Sequence, residues 1–250
     1  MEQTPVTILT KFLDALYPAN YVCLSCGNEI PCNTLALCDK CKNSLPSLSK
    51  YRCTKCDAAV NEDTRICDLC KTTPMVFDKN YSAFDYSGSI KKMLLGLKYH
   101  GAKYNGTTLS QLLFQKYLSI DRSFDCIVPV PLSNARFSER HYNQVEVLLD
   151  SFIANNCNVC LNVLIRTIDT PHQAGLSRRD RLTNLQGAFK VVDKSSVKGK
   201  SILLVDDVFT TGATVNECAT TLIKAGASSV TVLTLCRNNN KESTHDKKHR

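Results

Sequence analysis

The chain of 250 residues contains no apolar run near the roughly 18–20 residues that a membrane-spanning helix needs, so no transmembrane segment is expected. Its opening stretch, MEQTPVTILTKFLDALYP, lacks a basic leading region, and Lys11 and Asp14 interrupt its apolar residues, so no cleaved secretory leader is expected either. Two common phosphate motifs are missing: there is no G-x4-G-K-[ST] loop and no G-x-G-x-x-G fingerprint, which argues against a P-loop nucleotidase and a dinucleotide-binding enzyme. No long-period repeat occurs apart from paired cysteines. What is present is apolar material, 43% of the composition, enough to bury a core and to exclude disorder of the whole chain.

Fourteen cysteines stand out. With no leader and with many of them in C-x-x-C pairs, they point to a reducing cytoplasm and bound metal rather than a disulfide scaffold. The pairs Cys23/Cys26, Cys38/Cys41, Cys53/Cys56 and Cys67/Cys70 are spaced C-x2-C-x11-C-x2-C-x11-C-x2-C-x10-C-x2-C. A C-x2-C turn presents two thiolates to one ion, and two such turns complete the tetrahedral shell of Zn²⁺. Four pairs therefore predict two structural zinc sites, with every coordination position closed to water. The sequential assignment joins the first two pairs and the last two; a crossed one, pairing the first with the third and the second with the fourth, is also open. Cys32 is read as spare, Cys126 and Cys218 as small core residues, and Cys157 and Cys160 as a pair without metal.

Along the chain, Val6, Leu9, Phe12, Leu13 and Leu16 recur at helical spacing, predicting a helix that packs on its own protein or docks peripherally on a membrane surface or a partner. Val22–Met75 has few large aliphatics and needs staples. From Phe77 onward strands alternate with helices. Strands are expected at Tyr81–Tyr86, Asp125–Val130, Leu161–Arg166, Ser201–Val205 and Ser229–Leu235. Helices are expected at Ile90–Tyr99, Leu109–Ile120, Asn143–Ile153 and Ala213–Ala225. The alternation predicts an α/β fold with a mostly parallel sheet covered on both faces. The expected division is 1–21 N-terminal helix, 22–75 paired zinc modules, 76–237 α/β domain and 238–250 disordered basic tail.

The stretch Ile202–Thr214, ILLVDDVFTTGAT, carries the chemistry. A buried strand ends in Asp206 and Asp207, and a turn then leads into a helix. Ligands of parallel sheets bind beyond the carboxyl ends of strands, and a helix N-terminus with free N–H groups attracts phosphate. Thr210, Thr211 and Thr214 add hydroxyls, while Gly212 and Ala213 let the backbone come close. Paired carboxylates beside a phosphate loop suit the 2- and 3-hydroxyls of a ribose 5-phosphate and are compatible with Mg²⁺ shared with a diphosphate.

These thirteen residues resemble the signature with which type I phosphoribosyltransferases bind 5-phosphoribosyl 1-diphosphate (PRPP). Further stretches narrow the resemblance to the ComF family: Leu97–Gly101 (LKYHG), Ile127–Leu132 (IVPVPL), Glu139–Gln144 (ERHYNQ), Gln173–Ser177 (QAGLS) and Arg178–Phe189 (RRDRLTNLQGAF), together with a cysteine array similar to the family's double zinc ribbon. One departure is His141, where the family has glycine in R-G-F-N-Q. The resemblance implies a phosphoribosyltransferase-like sheet domain behind a double zinc ribbon, PRPP binding, and a role in natural competence, handling incoming single-stranded DNA in the cytoplasm with other DNA-uptake or recombination proteins as partners. The alternative is an active phosphoribosyltransferase acting on an unidentified acceptor. A third reading is a regulator that keeps the pocket as a ligand sensor.

By the same resemblance, Val130, Pro131 and Leu132 form the pyrophosphate loop, with Arg136 and Arg140 against diphosphate oxygens. Arg178, Arg179 and Arg181 lie in a loop that closes over PRPP or tracks a nucleic-acid backbone. Lys98, His100 and Lys103 would extend that track, with Tyr99, Tyr104 and Tyr142 as stacking platforms. The net charge of +8 fits an anionic partner or a merely solvated basic surface.

Overall fold

Ile202, Leu203, Leu204 and Val205 are consecutive and all fully buried. A strand apolar on both sides belongs inside a parallel sheet with helices on each face. The computed structural model, which describes residues 21–31, 35–168 and 185–239, places it there. In chain order come two short helices, α1 (Asp39–Asn43) and α2 (Asp68–Thr72), then β1 (Asn80–Asp85), α3 (Gly88–Tyr99), α4 (Tyr104–Leu118) and β2 (Cys126–Pro129). Three short helices follow: α5 (Asn134–Arg140), α6 (Gln144–Val147) and α7 (Asp150–Ala154). Next are β3 (Leu164–Arg166), β4 (Phe189–Val191), β5 (Ser201–Phe209), α8 (Ala213–Lys224) and β6 (Ser229–Arg237).

The main sheet has the order β1-β6-β5-β2, and every neighbouring pair is parallel. Alternate residues of a strand face opposite sides, which divides the core in two. Val128, Ile202, Leu204 and Val232 pack with Cys218 and Leu222 of α8. Ile127, Leu203, Val205 and Leu233 pack with Ile90, Leu94, Leu109 and Phe152 from α3, α4 and α7. The cysteine modules divide the same way: Cys23 and Cys41 join the α3/α4 side, whereas Cys53 and Cys56 join the α8 side. Segments too poor in aliphatics to fold alone thus borrow both faces of the sheet.

Several elements depart from the sequence reading for identifiable reasons. Helix α4 starts at Tyr104, not Leu109, because its first turns pack through small and polar groups that apolar periodicity does not register. Gly106 lies so close to Val147 that a Cβ there would stand 2.3 Å from it, and the Asn105 amide donates to the Met93 carbonyl at 2.9 Å. The helix expected over Asn143–Ile153 is broken at Leu148 and Leu149, both fully buried. The strand expected at Leu161–Arg166 shortens to β3 and leaves the main sheet, pairing antiparallel with β4, a strand of three residues not expected from the sequence. Strand β5 runs to Phe209 instead of ending at Val205, because β6 continues beside it, Asp206 opposite Thr234 and Phe209 opposite Arg237. Cys126 is buried as expected, but it is joined to Cys160 by a disulfide. The N-terminal helix, Cys32, Arg178, Arg179, Arg181 and the basic tail lie outside the described residues, and no helix among the described ones is long and apolar enough to cross a membrane.

Candidate functional site

Strand β2 ends where Pro129 pairs with Val205, whereas β5 continues for four residues with only β6 beside it. The missing neighbour leaves a cavity of about 490 Å³ at the carboxyl end of the sheet, lined among others by Lys98, Arg136, Asp206, Asp207, Thr210 and Thr214. The two acids are held differently. The Asp207 carboxylate is bonded by Lys98 Nζ at 2.7 Å and by Gln144 Nε2 at 2.8 Å. The Gln144 carbonyl in turn accepts from Arg140 Nη1 at 2.8 Å. Asp206 accepts from the Asp207 backbone N–H at 2.8 Å.

The electrostatics follow from these partners. Burial alone would push the Asp207 carboxyl up, but the charge and hydrogen bond of Lys98, with the Gln144 bond and the Arg140 charge, hold it below its ordinary value. Asp206 is raised to about 7, first by burial and then by the charge of Asp207. One acid is a fixed anion; the other is poised to hold or release a proton near neutrality.

The turn behind the acids is shaped by Gly212, whose φ of 80° lies in the left-handed region. A Cβ at this position would stand 2.5 Å from the Phe209 ring, so the loop rests on Phe209 as its floor and only glycine fits. Thr210 and Thr214 reach the cavity. Thr211 is buried, its hydroxyl accepting from the Ala213 N–H at 3.4 Å. Across the cavity, Val130, Pro131 and Leu132 form the opposing wall. The Asn143 amide pins this loop, donating to the Val130 carbonyl at 3.1 Å.

The eight ribbon cysteines form two groups, Cys23/Cys26/Cys38/Cys41 and Cys53/Cys56/Cys67/Cys70, with the sulfurs in each within 4.8 Å of one another. Zinc–thiolate bonds near 2.3 Å set tetrahedral sulfur separations of about 3.8 Å. Cys26 to Cys38 at 3.9 Å and Cys56 to Cys67 at 3.5 Å match that spacing. Backbone N–H groups of Cys38 and Cys67 point at Cys23 and Cys53 at 3.4 and 3.3 Å, which favours thiolates. These donors fit structural zinc, and the sequential assignment holds over the crossed one.

Residues 93–250 match the model of the phosphoribosyl transferase domain, and residues 12–72 that of the double zinc ribbon domain. The chain is 33% identical over 177 residues to DNA utilization protein YhgH of Escherichia coli strain K12, covering 68% of this chain and 77% of that protein. It is 31% identical over 181 residues to competence protein F of Haemophilus influenzae, covering 68% and 78%. To competence protein ComFC of Bacillus subtilis it is 27% identical over 238 residues, covering 91% and 88%. The chain belongs to the ComF family.

Within this ComF protein, the structure gathers Asp206, Asp207, Thr210 and Thr214 with Val130–Leu132 and Arg136 around one cavity. It does not bring Arg140 there: its guanidinium stacks on Tyr99 at 4.9 Å and reaches Asp207 only through Gln144. Lys98, expected on a DNA track, points into the cavity instead. The sequence reading assigned Lys98 a different role and Gln144 none, although both sit in the LKYHG and ERHYNQ stretches. Their signal was position beside a recognisable motif, with nothing local to say which way they face. His141 adopts φ of 63°, the left-handed conformation natural to the glycine that the family carries there, so the departure leaves the backbone turn in place at the end of α5.

Proposed function

We propose that this ComF protein is a competence factor for natural transformation that handles incoming single-stranded DNA in the cytoplasm, and that the cavity at the end of β5 binds PRPP or a related phosphoribosyl compound. The observation that carries the reading is the opening of an acidic pair and a glycine-pivoted threonine turn into the same cavity of about 490 Å³. The 5-phosphate would sit against the Thr210–Thr214 turn, and the ribose hydroxyls would bond the carboxylates. The diphosphate would face Arg136 and the Val130–Leu132 loop. With Asp207 already neutralised by Lys98, Mg²⁺ would come with the diphosphate rather than as a resident ion. Exposed Tyr99 and Tyr104, with the Lys103 ammonium 4.5 Å from the Tyr142 ring centre, offer a cationic and aromatic surface suited to unpaired bases. The competence and DNA-utilization names of its relatives accord with this role.

A second reading, transfer of phosphoribose to an acceptor with release of pyrophosphate, uses the same carboxylates and is favoured by the position of Arg136 in the cavity wall. Transformation frequency in a deletion strain, complemented with wild type or with Asp206→Ala/Asp207→Ala, tests the first reading. Full rescue by the double variant would remove the pocket from the process. Pyrophosphate release with candidate acceptors would establish the second.

A further inference from the structure

Arg237, the last residue of β6, is only 4% exposed, and no carboxylate pairs with it among the described residues. A buried cation without a counter-charge is costly unless hydrogen bonds and a nearby anion compensate it. Its Nη1 donates to the carbonyls of Phe209 at 2.8 Å, Thr210 at 2.7 Å and Asn238 at 2.9 Å. Its Nη2 donates to Cys56 Sγ at 3.9 Å. Its guanidinium also covers the Phe209 ring at 4.7 Å. One planar group therefore bridges a ligand atom of the second cysteine cluster and the two residues that lead into the phosphate turn.

The charges make the bridge more than a contact. Zinc held by four thiolates leaves a net charge of two minus on the cluster, and Arg237 is a buried cation against it. The cluster is itself fixed to the sheet: the Asn80 amide donates to the Cys56 carbonyl at 3.3 Å, and the Asp57 carboxylate accepts from the Ser82 N–H at 2.8 Å. Phe77, beside the cluster in the same core group, meets Phe209 edge-to-face at 6.0 Å. Phe209 is the floor on which Gly212 turns. Among the described residues the first cluster is tied elsewhere: its module meets α4, where the Thr108 hydroxyl donates to the Leu35 carbonyl at 2.7 Å.

We propose that Arg237 is a positioning residue that couples zinc occupancy of the Cys53/Cys56/Cys67/Cys70 cluster to the shape of the phosphate turn, so that the pocket takes its ligand tightly only when the second ribbon is metallated. The ligand side of this statement rests on the phosphoribosyl reading above; the coupling itself does not. With zinc present, the thiolates fix the guanidinium and the guanidinium fixes the Phe209 and Thr210 carbonyls. Without it the four sulfurs are no longer held together, Cys56 no longer fixes the guanidinium, and the turn loses its anchor. Linkage requires the reverse effect: a ligand that orders the turn must slow zinc loss from this cluster.

The first measurement uses no ligand. Amide hydrogen exchange of Phe209–Thr214 is compared in the zinc-loaded wild-type chain, in Cys70→Ser, and in Arg237→Lys, which keeps the charge but not the fork. Exchange of the turn should rise about tenfold or more in both variants. Unchanged exchange in Arg237→Lys, with zinc still bound, overturns the coupling. Should Cys70→Ser fail to fold, Arg237→Lys and stepwise chelation of the wild type give the same answer. The second measurement is release of zinc to a colorimetric chelator with and without PRPP, whose binding is checked by calorimetry. PRPP should slow release from the second cluster about tenfold in wild type and not in Arg237→Lys. Binding without any slowing refutes the coupling. Absence of PRPP binding alongside a positive exchange result refutes the phosphoribosyl reading and leaves the coupling standing.

Discussion

Lys98 Nζ lies 2.7 Å from the Asp207 carboxylate, and both side chains are nearly withdrawn from solvent, at 15% and 8% exposure. The contact joins the last turn of α3 to the strand that bears the acidic pair. It gives two adjacent carboxylates different duties. Asp207 is neutralised by the protein itself, whereas Asp206 is left to a ligand or a proton. Two adjacent anions facing a diphosphate would repel it; one of them paired with a lysine would not.

Lys98→Met should therefore harm more than a surface lysine would. It strands Asp207 beside Asp206 with only Gln144 as a side-chain donor. Breaking a sealed ion pair costs roughly 3–5 kcal/mol; because this one borders an open cavity, a loss of about 2–3 kcal/mol is expected. Urea unfolding at pH 7.5 measures it, and a change within 0.5 kcal/mol (roughly the range of neutral surface substitutions) would show that the pair does not hold the site together.

Asp206 makes stability depend on pH in an unusual direction. Its carboxyl is raised from 3.8 to about 7 by burial and by Asp207. Between those values the folded chain keeps a proton that the unfolded chain has lost, so this group's contribution to stability falls as pH rises across the window and levels off above about 7. Asp206→Asn abolishes that titration. The variant should melt higher than wild type at pH 8, with the advantage shrinking toward nothing near pH 4. Thermal melts across this range check the slope; parallel curves would mean that Asp206 is ionised throughout.

Much of this was legible from residue type and spacing. Eight cysteines in four C-x2-C turns specify two four-thiolate sites, because each turn is local, but which pairs share a site is set only by the fold. ILLVDDVFTTGAT encodes a strand, a turn and a helix within thirteen residues, so its acids and threonines could be placed before any tertiary contact was known. Lys98 and Arg237 could not. Each acts through the direction of a long side chain across a fold boundary, and a lysine in the last turn of an amphipathic helix or an arginine at a strand end reads equally well as solvated. The same limit applies to β3 and β4, whose three-residue pairing depends on a partner more than twenty positions away, and to the start of α4, where Gly106 and Asn105 pack in place of aliphatics.

His141 occupies a left-handed C-terminal position of α5, its N–H bonded to the Phe137 carbonyl at 2.6 Å. A side chain pays for that conformation, whereas glycine does not, although glycine loses more freedom on folding. His141→Gly should raise stability by about 0.5–1 kcal/mol without shifting Tyr142 or Asn143. Chemical denaturation measures the gain, and a loss of stability would mean that the imidazole makes a compensating contact.

Removing one zinc ligand from the first cluster should cut metal content by half. Cys41 is buried in the same core as Leu94 and Leu97, so its cluster staples the first ribbon to the α3/α4 face. Cys41→Ser leaves three thiolates and a weak hydroxyl for zinc, which prefers four soft or imidazole donors. Because structural zinc binding is itself folding free energy, the variant should hold one zinc per chain by elemental analysis, show a lower melting temperature, and gain protease sensitivity in the Tyr21–Leu45 segment first. Two zinc ions retained per chain would mean that the ligands are not the four that the sulfur positions bring together.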